Sequence, residues 1–253
     1  TSTLTLSGDE TEGATAFSCA SFIDAAGNAG VTDTSANTGA VTIDVTLPTL
    51  TIAMASNNAD TAKATTGDII TLTITASETV TALVCTIAGE ATTMGGSGTA
   101  WTSTLTLSGD EAAGAAAISC SSFADATGNV GTTDTSATSG SVTIDVTLPT
   151  LTIAMASNNA VTTLAKSGDN IVLTITANEA VTALVCTIDG EATTMGGSGV
   201  SWTSTLTLDG DETAGAAAFS CASFLDAAGN AGATDTDATS GSVNIDYTVP
   251  TLT

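Results

Sequence analysis

The chain repeats itself every 101 residues, and this period constrains its architecture more than any local pattern does. Trp-Thr-Ser-Thr-Leu-Thr-Leu begins at Trp101 and again at Trp202, and Thr1 opens the same phrase just past the tryptophan. Pro48, Pro149 and Pro250 share one register, as do Cys19, Cys120 and Cys221, and Cys85 and Cys186. Solenoid repeats run about 20–50 residues, so a period of this length describes whole domains in tandem. Cutting at the prolines predicts complete repeats at 48–148 and 149–249, the C-terminal half of a repeat at 1–47, and the start of another at 250–253. A chain opening in mid-domain leaves an apolar sheet face bare, so the sequence reads as a piece of a longer protein. A missing leader peptide then carries no information.

Each repeat is predicted to be all-β. Leu50-Thr51-Ile52-Ala53-Met54, Ile70-Thr71-Leu72-Thr73-Ile74 and Leu105-Thr106-Leu107 alternate apolar residues with small or β-branched ones at period two. Threonine suits the solvent face of a strand, being β-branched with one polar atom. Further strands are predicted at 81–87, 99–107, 115–123 and 141–146, separated by Gly, Asn and Asp clusters. The Ala-rich stretch 112–117 abuts Gly114 and runs into alternating Ile118-Ser119-Cys120, so it reads as strand rather than helix. About seven short strands per repeat define a tandem immunoglobulin-like β-sandwich.

The phrases Leu-Pro-Thr-Leu-Thr-Ile, Ser-Gly-Asp, Trp-Thr-Ser-Thr and Phe-x-Asp-Ala-Ala-Gly-Asn resemble the tandem bacterial Ig-like (cadherin-like) repeats of giant extracellular adhesins and surface fibres. The resemblance covers the whole chain and rests on fold signatures, not activity signatures. It implies a secreted, rod-like stalk at the cell surface, often rigidified by calcium at the domain junctions. Cysteines in two core strands depart from the usual pattern.

Composition removes several functions. Against 26 Asp plus Glu stand 2 Lys, no Arg and no His, for a net charge of −24. Such a chain cannot neutralise a phosphate backbone, and an anionic membrane surface repels it, so nucleic acid and membrane insertion are excluded as partners. Without histidine, the commonest general base and zinc ligand is missing, which argues against an enzyme. With 42% apolar and only 11% charged residues, the chain can bury a core.

The cysteines point to the redox setting. Cys85 and Cys120 both lie at inward positions of alternating strands, and Cys186 and Cys221 repeat them. Pairing within each repeat is the favoured reading; two buried free thiols acting as small hydrophobes are the alternative. Cys19 is then left odd because its partner belongs to a half-repeat outside the chain. A disulfide in every repeat implies an oxidising, extracellular setting.

The acids carry the more specific argument. Eight acidic positions of 48–148 recur in 149–249. In a sandwich, the loop holding Asp125 and Asn129 and the loop holding Glu78 lie at the end where the first strand begins. Asp110 and Glu111 lie at the opposite end, and Asp145 sits on the linker before Pro149. Tandem repeats therefore bring Asp110, Glu111 and Asp145 towards Glu179, Asp226 and Asn230 of the next repeat; Asp44 is the counterpart of Asp145 one repeat earlier. Carboxylate and amide oxygens converging without nitrogen or sulfur ligands suit calcium. The competing reading is that these are solvated turn residues, with Asp and Asn stabilising the turns.

Other features read as structural. Trp101 and Trp202 are expected to cover the core or a sheet edge, and Gly95-Gly96-Ser97-Gly98 is expected to be a hairpin loop, since no lysine or helix follows it. Near-identical repeats without a distinctive loop favour a structural extender whose partners are neighbouring repeats. A self-assembling filament of many copies, pairing laterally or exchanging strands, is the second expectation. A ligand-binding adhesin module, for sugars or ice, is the third, and its sign would be a flat threonine array.

Overall fold

The computed structural model describes residues 2–252. It is all-β, and no helix occurs among the described residues. Residues before Pro48 form two short strands, β1 (Gly13–Ala14) and β2 (Thr42–Ile43). Nine strands follow: β3 (Leu50–Ser56), β4 (Lys63–Ala64), β5 (Ile69–Val80), β6 (Val84–Ile87), β7 (Glu90–Ala91), β8 (Thr93–Thr106), β9 (Gly114–Ala115), β10 (Ile118–Ser121) and β11 (Thr143–Ile144). The last nine are β12 (Leu151–Ser157), β13 (Leu164–Ala165), β14 (Asn170–Val181), β15 (Val185–Ile188), β16 (Glu191–Ala192), β17 (Thr194–Thr207), β18 (Gly215–Ala216), β19 (Phe219–Ala222) and β20 (Asn244–Ile245). Strand for strand, β12–β20 lie 101 residues beyond β3–β11.

Two compact units divide the chain. One comprises Thr1–Met54, Thr71–Leu105 and Ala117–Gly140; the other comprises Ala55–Ile70, Thr106–Ala116 and Ser141–Thr253.

The second unit contains all of β12–β20, arranged as the sheets β12-β14-β17, β16-β15-β19 and β13-β20-β18. Alternation places Ile153, Met155, Ile171, Leu173 and Ile175 inward, where they meet Leu184, Ile188, Leu208, Phe219, Phe224, Val243 and Ile245 in one core. Each such side chain contributes roughly 1.5–3 kcal/mol on burial. One edge of the Phe224 ring packs against Gly232, whose amide donates to the Phe224 carbonyl at 3.0 Å. A Cβ on Gly232 would meet the ring at 1.8 Å, so only glycine admits this contact.

Strand count exceeds the expected seven because one predicted strand divides between sheets and the two-residue strands β4 and β7 lie outside the expected set. The stretch expected at 115–123 breaks into β9, which pairs with β11, and β10, which pairs with β6. The strand expected at 141–146 shrinks to β11, held between β9 and a parallel β4. The expected loop at Gly95–Gly98, like its counterpart Gly196–Gly199, lies inside a strand that doubles back on itself. In β17 the Ser204 hydroxyl donates to Thr193 Oγ1 at 2.7 Å, and a Cβ on Gly197 would sit 2.3 Å from the Ser201 carbonyl oxygen. The ladder therefore closes nearly to its tip, at a backbone φ of +92° that glycine supplies. Trp202 rests partly buried against the core and donates its ring N–H to the Gly199 carbonyl at 2.9 Å.

Candidate functional site

Cys186 stands opposite Cys221 across β15 and β19, and Cys85 opposite Cys120 across β6 and β10. Both pairs are disulfides, with a Cα separation of 4.1 Å. The Cys120 and Cys221 amides donate away from their partners, to Asp134 and Asp235. Each pair thus occupies a non-hydrogen-bonded rung, where opposed Cα atoms come closest, and this accounts for a spacing just below the usual range. Cys19 is an exposed free thiol. Two disulfides mark a non-cytoplasmic protein. Among the described residues, no helix is long and apolar enough to cross a membrane.

The sequence Asp-x-x-Gly-Asn builds the same turn three times, at 24–28, 125–129 and 226–230. In the last, Asp226 Oδ1 accepts the backbone N–H groups of Ala228, Gly229 and Asn230 at 2.7–2.9 Å, and Oδ2 accepts the Asn230 side-chain amide at 2.8 Å. Gly229 takes φ +100°, which a side chain would strain. Asp125 and Asp24 are held the same way. Burial alone would raise the Asp125 carboxyl, but donation from Asn129, Thr127 and Gly128 outweighs it and holds the group down at about 2.

These turns gather acids from two repeats. Carboxylate oxygens of Asp145, Glu179 and Asp226 lie within 4.8 Å of one another, and those of Asp44, Glu78 and Asp125 form the same group one period earlier. Asp226 and Asp125 are buried, and the others half-buried. Burial, then the charges of Asp226 and Asp145, raise the Glu179 carboxyl above its ordinary value. Glu78 is raised by burial, then by Asp125, Asp44 and Glu12. The salt bridges among the described residues, Lys63 to Asp60 and Lys166 to Asp169, supply no cation to either group.

Asp110 and Glu111 stand apart from these groups. Glu111 is buried because its carboxylate turns back to accept the Ser108 and Gly109 backbone N–H groups, both at 2.9 Å, and these bonds lower its pKa against the opposing effect of burial. Asp110 is exposed on the same turn. Of the acids expected to converge, Asp145, Glu179 and Asp226 lie together, while Asp110 and Glu111 lie outside that group on a turn closed by the Glu111 carboxylate. In the last repeat Asp209 replaces Ser108, so Asp209, Asp211 and Glu212 form a third acidic group, in which Tyr247 donates to Glu212.

Asn129 and Asn230, expected as oxygen ligands, act as amide donors. Asn230 Nδ2 reaches the Asp145 carbonyl at 2.9 Å and Asn129 Nδ2 the Asp44 carbonyl at 3.1 Å. Two further contacts were missed in the sequence: Lys63 Nζ donates to the Ala227 carbonyl at 2.8 Å and Asn58 Nδ2 to the Ala228 carbonyl at 3.0 Å. The one available signal was that Lys63 is among only two cations in the chain.

The donor chemistry fits a hard divalent cation. Asp226 Oδ1 is consumed by its turn; Asp226 Oδ2, which accepts one bond from the Asn230 amide, keeps a further lone pair and with the carboxylates of Asp145 and Glu179 makes an all-oxygen set with uncompensated negative charge.

The outer face of the β12-β14-β17 sheet carries a hydroxyl-rich grid. Thr152, Thr176 and Ser201 form one rung, Ala154, Thr174 and Thr203 the next, and Ala156, Val172 and Thr205 a third. Thr207 pairs with Asn170 beyond them, and no charged residue stands in the grid. Rungs of this kind repeat at about 4.8 Å across strands and roughly 6.6 Å along them.

Fold and site together define an all-β chain of tandem immunoglobulin-like repeats with two cross-strand disulfides. No family profile matches the chain, and no curated protein matches it either. Among solved structures it is similar to an I-band fragment of titin and to an E-to-A variant of that three-Ig structure. Each is 11% identical with a TM-score of 0.44, covering 78% of this chain and 65% of the fragment. Titin domains in complex with telethonin are similar at 11% identity and a TM-score of 0.28, covering 82% of this chain and 100% of theirs. The chain thus spans 65% of the length of the two I-band fragments. The likeness concerns fold alone.

Proposed function

We propose that the chain is a structural extender of an extracellular fibre or adhesin at the cell surface, in which calcium joins each repeat to the next. The observation that carries this reading is the recurrence, one period apart, of a linker acid facing two loop acids of the following repeat: Asp44 with Glu78 and Asp125, Asp145 with Glu179 and Asp226. Without a cation, like charges crowd a small volume and the junction is loosened. With calcium, shared coordination replaces that repulsion. The resemblance to tandem repeats of bacterial giant adhesins supports the same assignment.

Extracellular modules bind calcium in roughly the 10⁻⁴–10⁻³ M range. At ten to a hundred times Kd, each site adds about 1.4–2.7 kcal/mol to stability. Calorimetric titration of the protein with calcium, together with melting and solution scattering in calcium and in chelator, tests the proposal. Expected are saturable binding, a higher Tm and a longer, stiffer particle in calcium, all abolished by Asp145→Asn with Glu179→Gln and Asp44→Asn with Glu78→Gln. Binding that survives those substitutions places calcium elsewhere, and no binding removes it from the mechanism.

The uncharged threonine grid supports a second reading, an adhesin module that presents regular hydroxyls to ice or to a sugar surface. Partitioning into growing ice and binding to glycan-coated beads test it. Loss of either on Thr174→Lys with Thr203→Lys supports the reading, and an inert native protein disposes of it.

A further inference from the structure

The Asp226–Asn230 turn of the second repeat is gripped at three places by the first. Lys63 Nζ donates to the Ala227 carbonyl at 2.8 Å and Asn58 Nδ2 to the Ala228 carbonyl at 3.0 Å, while the Asp145 carbonyl accepts Asn230 Nδ2 at 2.9 Å. None of the three bonds uses a carboxylate oxygen. Ala228 is left only 4% exposed. Residues 55–70 and 141–145 accordingly fall in the same compact unit as the whole second repeat.

The gripping groups are braced from behind. Asn58 Nδ2 gives its other N–H to Asp68 Oδ2 at 2.7 Å, and Asn58 Oδ1 accepts the Asp60 amide at 3.0 Å. Lys63 lies on β4, whose parallel partner β11 runs directly into Asp145, and the Asp145 amide donates to the Ala64 carbonyl at 2.9 Å. The Asp60 carboxylate stands 3.7 Å from the Lys63 ammonium. All three contacts therefore spring from one hydrogen-bonded corner of the first repeat.

The second repeat shows that the fold itself does not call for the lysine. One period on, Val161 and Leu164 stand in the places of Asp60 and Lys63, yet β13 pairs with β20 in the register of β4 with β11. Asn159 keeps the inner bonds of Asn58, donating to Asp169 and accepting from Val161. An ion pair and an apolar pair thus serve the strand equally, and they differ in what they offer a neighbouring repeat. A charged donor also holds a carbonyl more firmly than a neutral one.

We propose that Asn58 and Lys63 are positioning residues of the junction, a latch that fixes the direction in which the second repeat leaves the first. The latch acts whether or not Asp145, Glu179 and Asp226 hold a cation. One attachment lets two bodies swivel; three, at Ala227, Ala228 and Asn230, leave one orientation. Repulsion among the acids works against this grip, which keeps the motion to small excursions about one mean direction. With Leu164 in the place of Lys63, the second repeat lacks that ammonium, so this form of the latch belongs to the junction between 48–148 and 149–249.

Residual dipolar couplings of the whole protein, measured in chelator so that the result does not turn on calcium, test the latch. The native repeats 48–148 and 149–249 should share one set of alignment axes. Lys63→Met keeps the stem and removes the donor, and Asn58→Ser keeps an acceptor for the Asp60 amide. Each should raise the swivelled fraction about tenfold, and together they should give the two repeats separate axes. Asp60→Val with Lys63→Leu, the pair the second repeat already carries, should keep native shifts inside each repeat and misalign as Lys63→Met does. Lys63→Arg, a cationic donor on a long stem, should keep the common axes. Divergent axes in the native protein, or common axes that survive Lys63→Met with Asn58→Ser, overturn the proposal.

Discussion

Asn230 donates one side-chain amide to the backbone carbonyl of Asp145 at 2.9 Å and to the carboxylate of Asp226 at 2.8 Å. The residue that closes a turn in one repeat thus also holds the linker leading into it. Replacing Asn230 by Ala leaves both acceptors without this donor and costs about 1–3 kcal/mol. Thermal melting of the Asn230→Ala protein should show the loss with calcium and with chelator alike; an unchanged Tm would remove the amide from the junction.

Acid and base limbs of stability should separate by residue. Asp125 is held at about 2, below its ordinary 3.8, so its contribution is whole above 3.8 and is lost as pH falls through about 2. Glu78 and Glu179 are raised above 4.5; their contribution is whole below 4.5 and is lost as pH rises through the folded values. In chelator, denaturant midpoints should therefore fall on both sides of a maximum near about pH 4. Glu78→Gln with Glu179→Gln should flatten the upper limb and leave the acid limb. An upper limb unaffected by that pair contradicts the crowding of charge.

Each disulfide spans 35 residues of sequence. A loop of that size contributes about 3–4 kcal/mol by restricting the unfolded chain. Cys186→Ser with Cys221→Ser should lose that amount in urea unfolding, and non-reducing peptide mapping should recover Cys85–Cys120 and Cys186–Cys221. Bridges between different repeats would refute the pairing.

Gly232→Ala places a methyl inside the ring position of Phe224 and should cost about 1–3 kcal/mol or more. Phe224→Leu in the same chain should recover part of the loss, since the clash is with the ring edge. If the double variant is as unstable as the sum of the two singles, the ring–backbone contact is not the cause.

Strands were legible where one face is buried and the other wet: Leu151–Ser157 alternates in sequence and in burial alike. The inward cysteines were legible for the same reason. Strand breaks were not, because β9 and β10 differ in their partners rather than their composition, and pairing across sheets leaves no local mark. Within the acidic groups, the period and the linker position of Asp145 indicated Glu179 and Asp226. The private role of Glu111 was missed because a carboxylate three residues after a Ser-Gly turn reads identically whether it faces a neighbour or its own backbone. Asn230 was misassigned in a similar way, since an amide offers both an oxygen and two N–H groups, and only geometry decides which end is used.

The cross-strand bond also sets how far the chain can lengthen under load. Of roughly 101 residues in a repeat, Cys186–Cys221 removes about 35 from the path between its ends. An unravelled repeat can then pay out only ~66 residues, about 220–240 Å of contour, instead of roughly 330–360 Å. A tether made this way gives ground in short, fixed steps, and a reducing pulse would switch each step to the longer value.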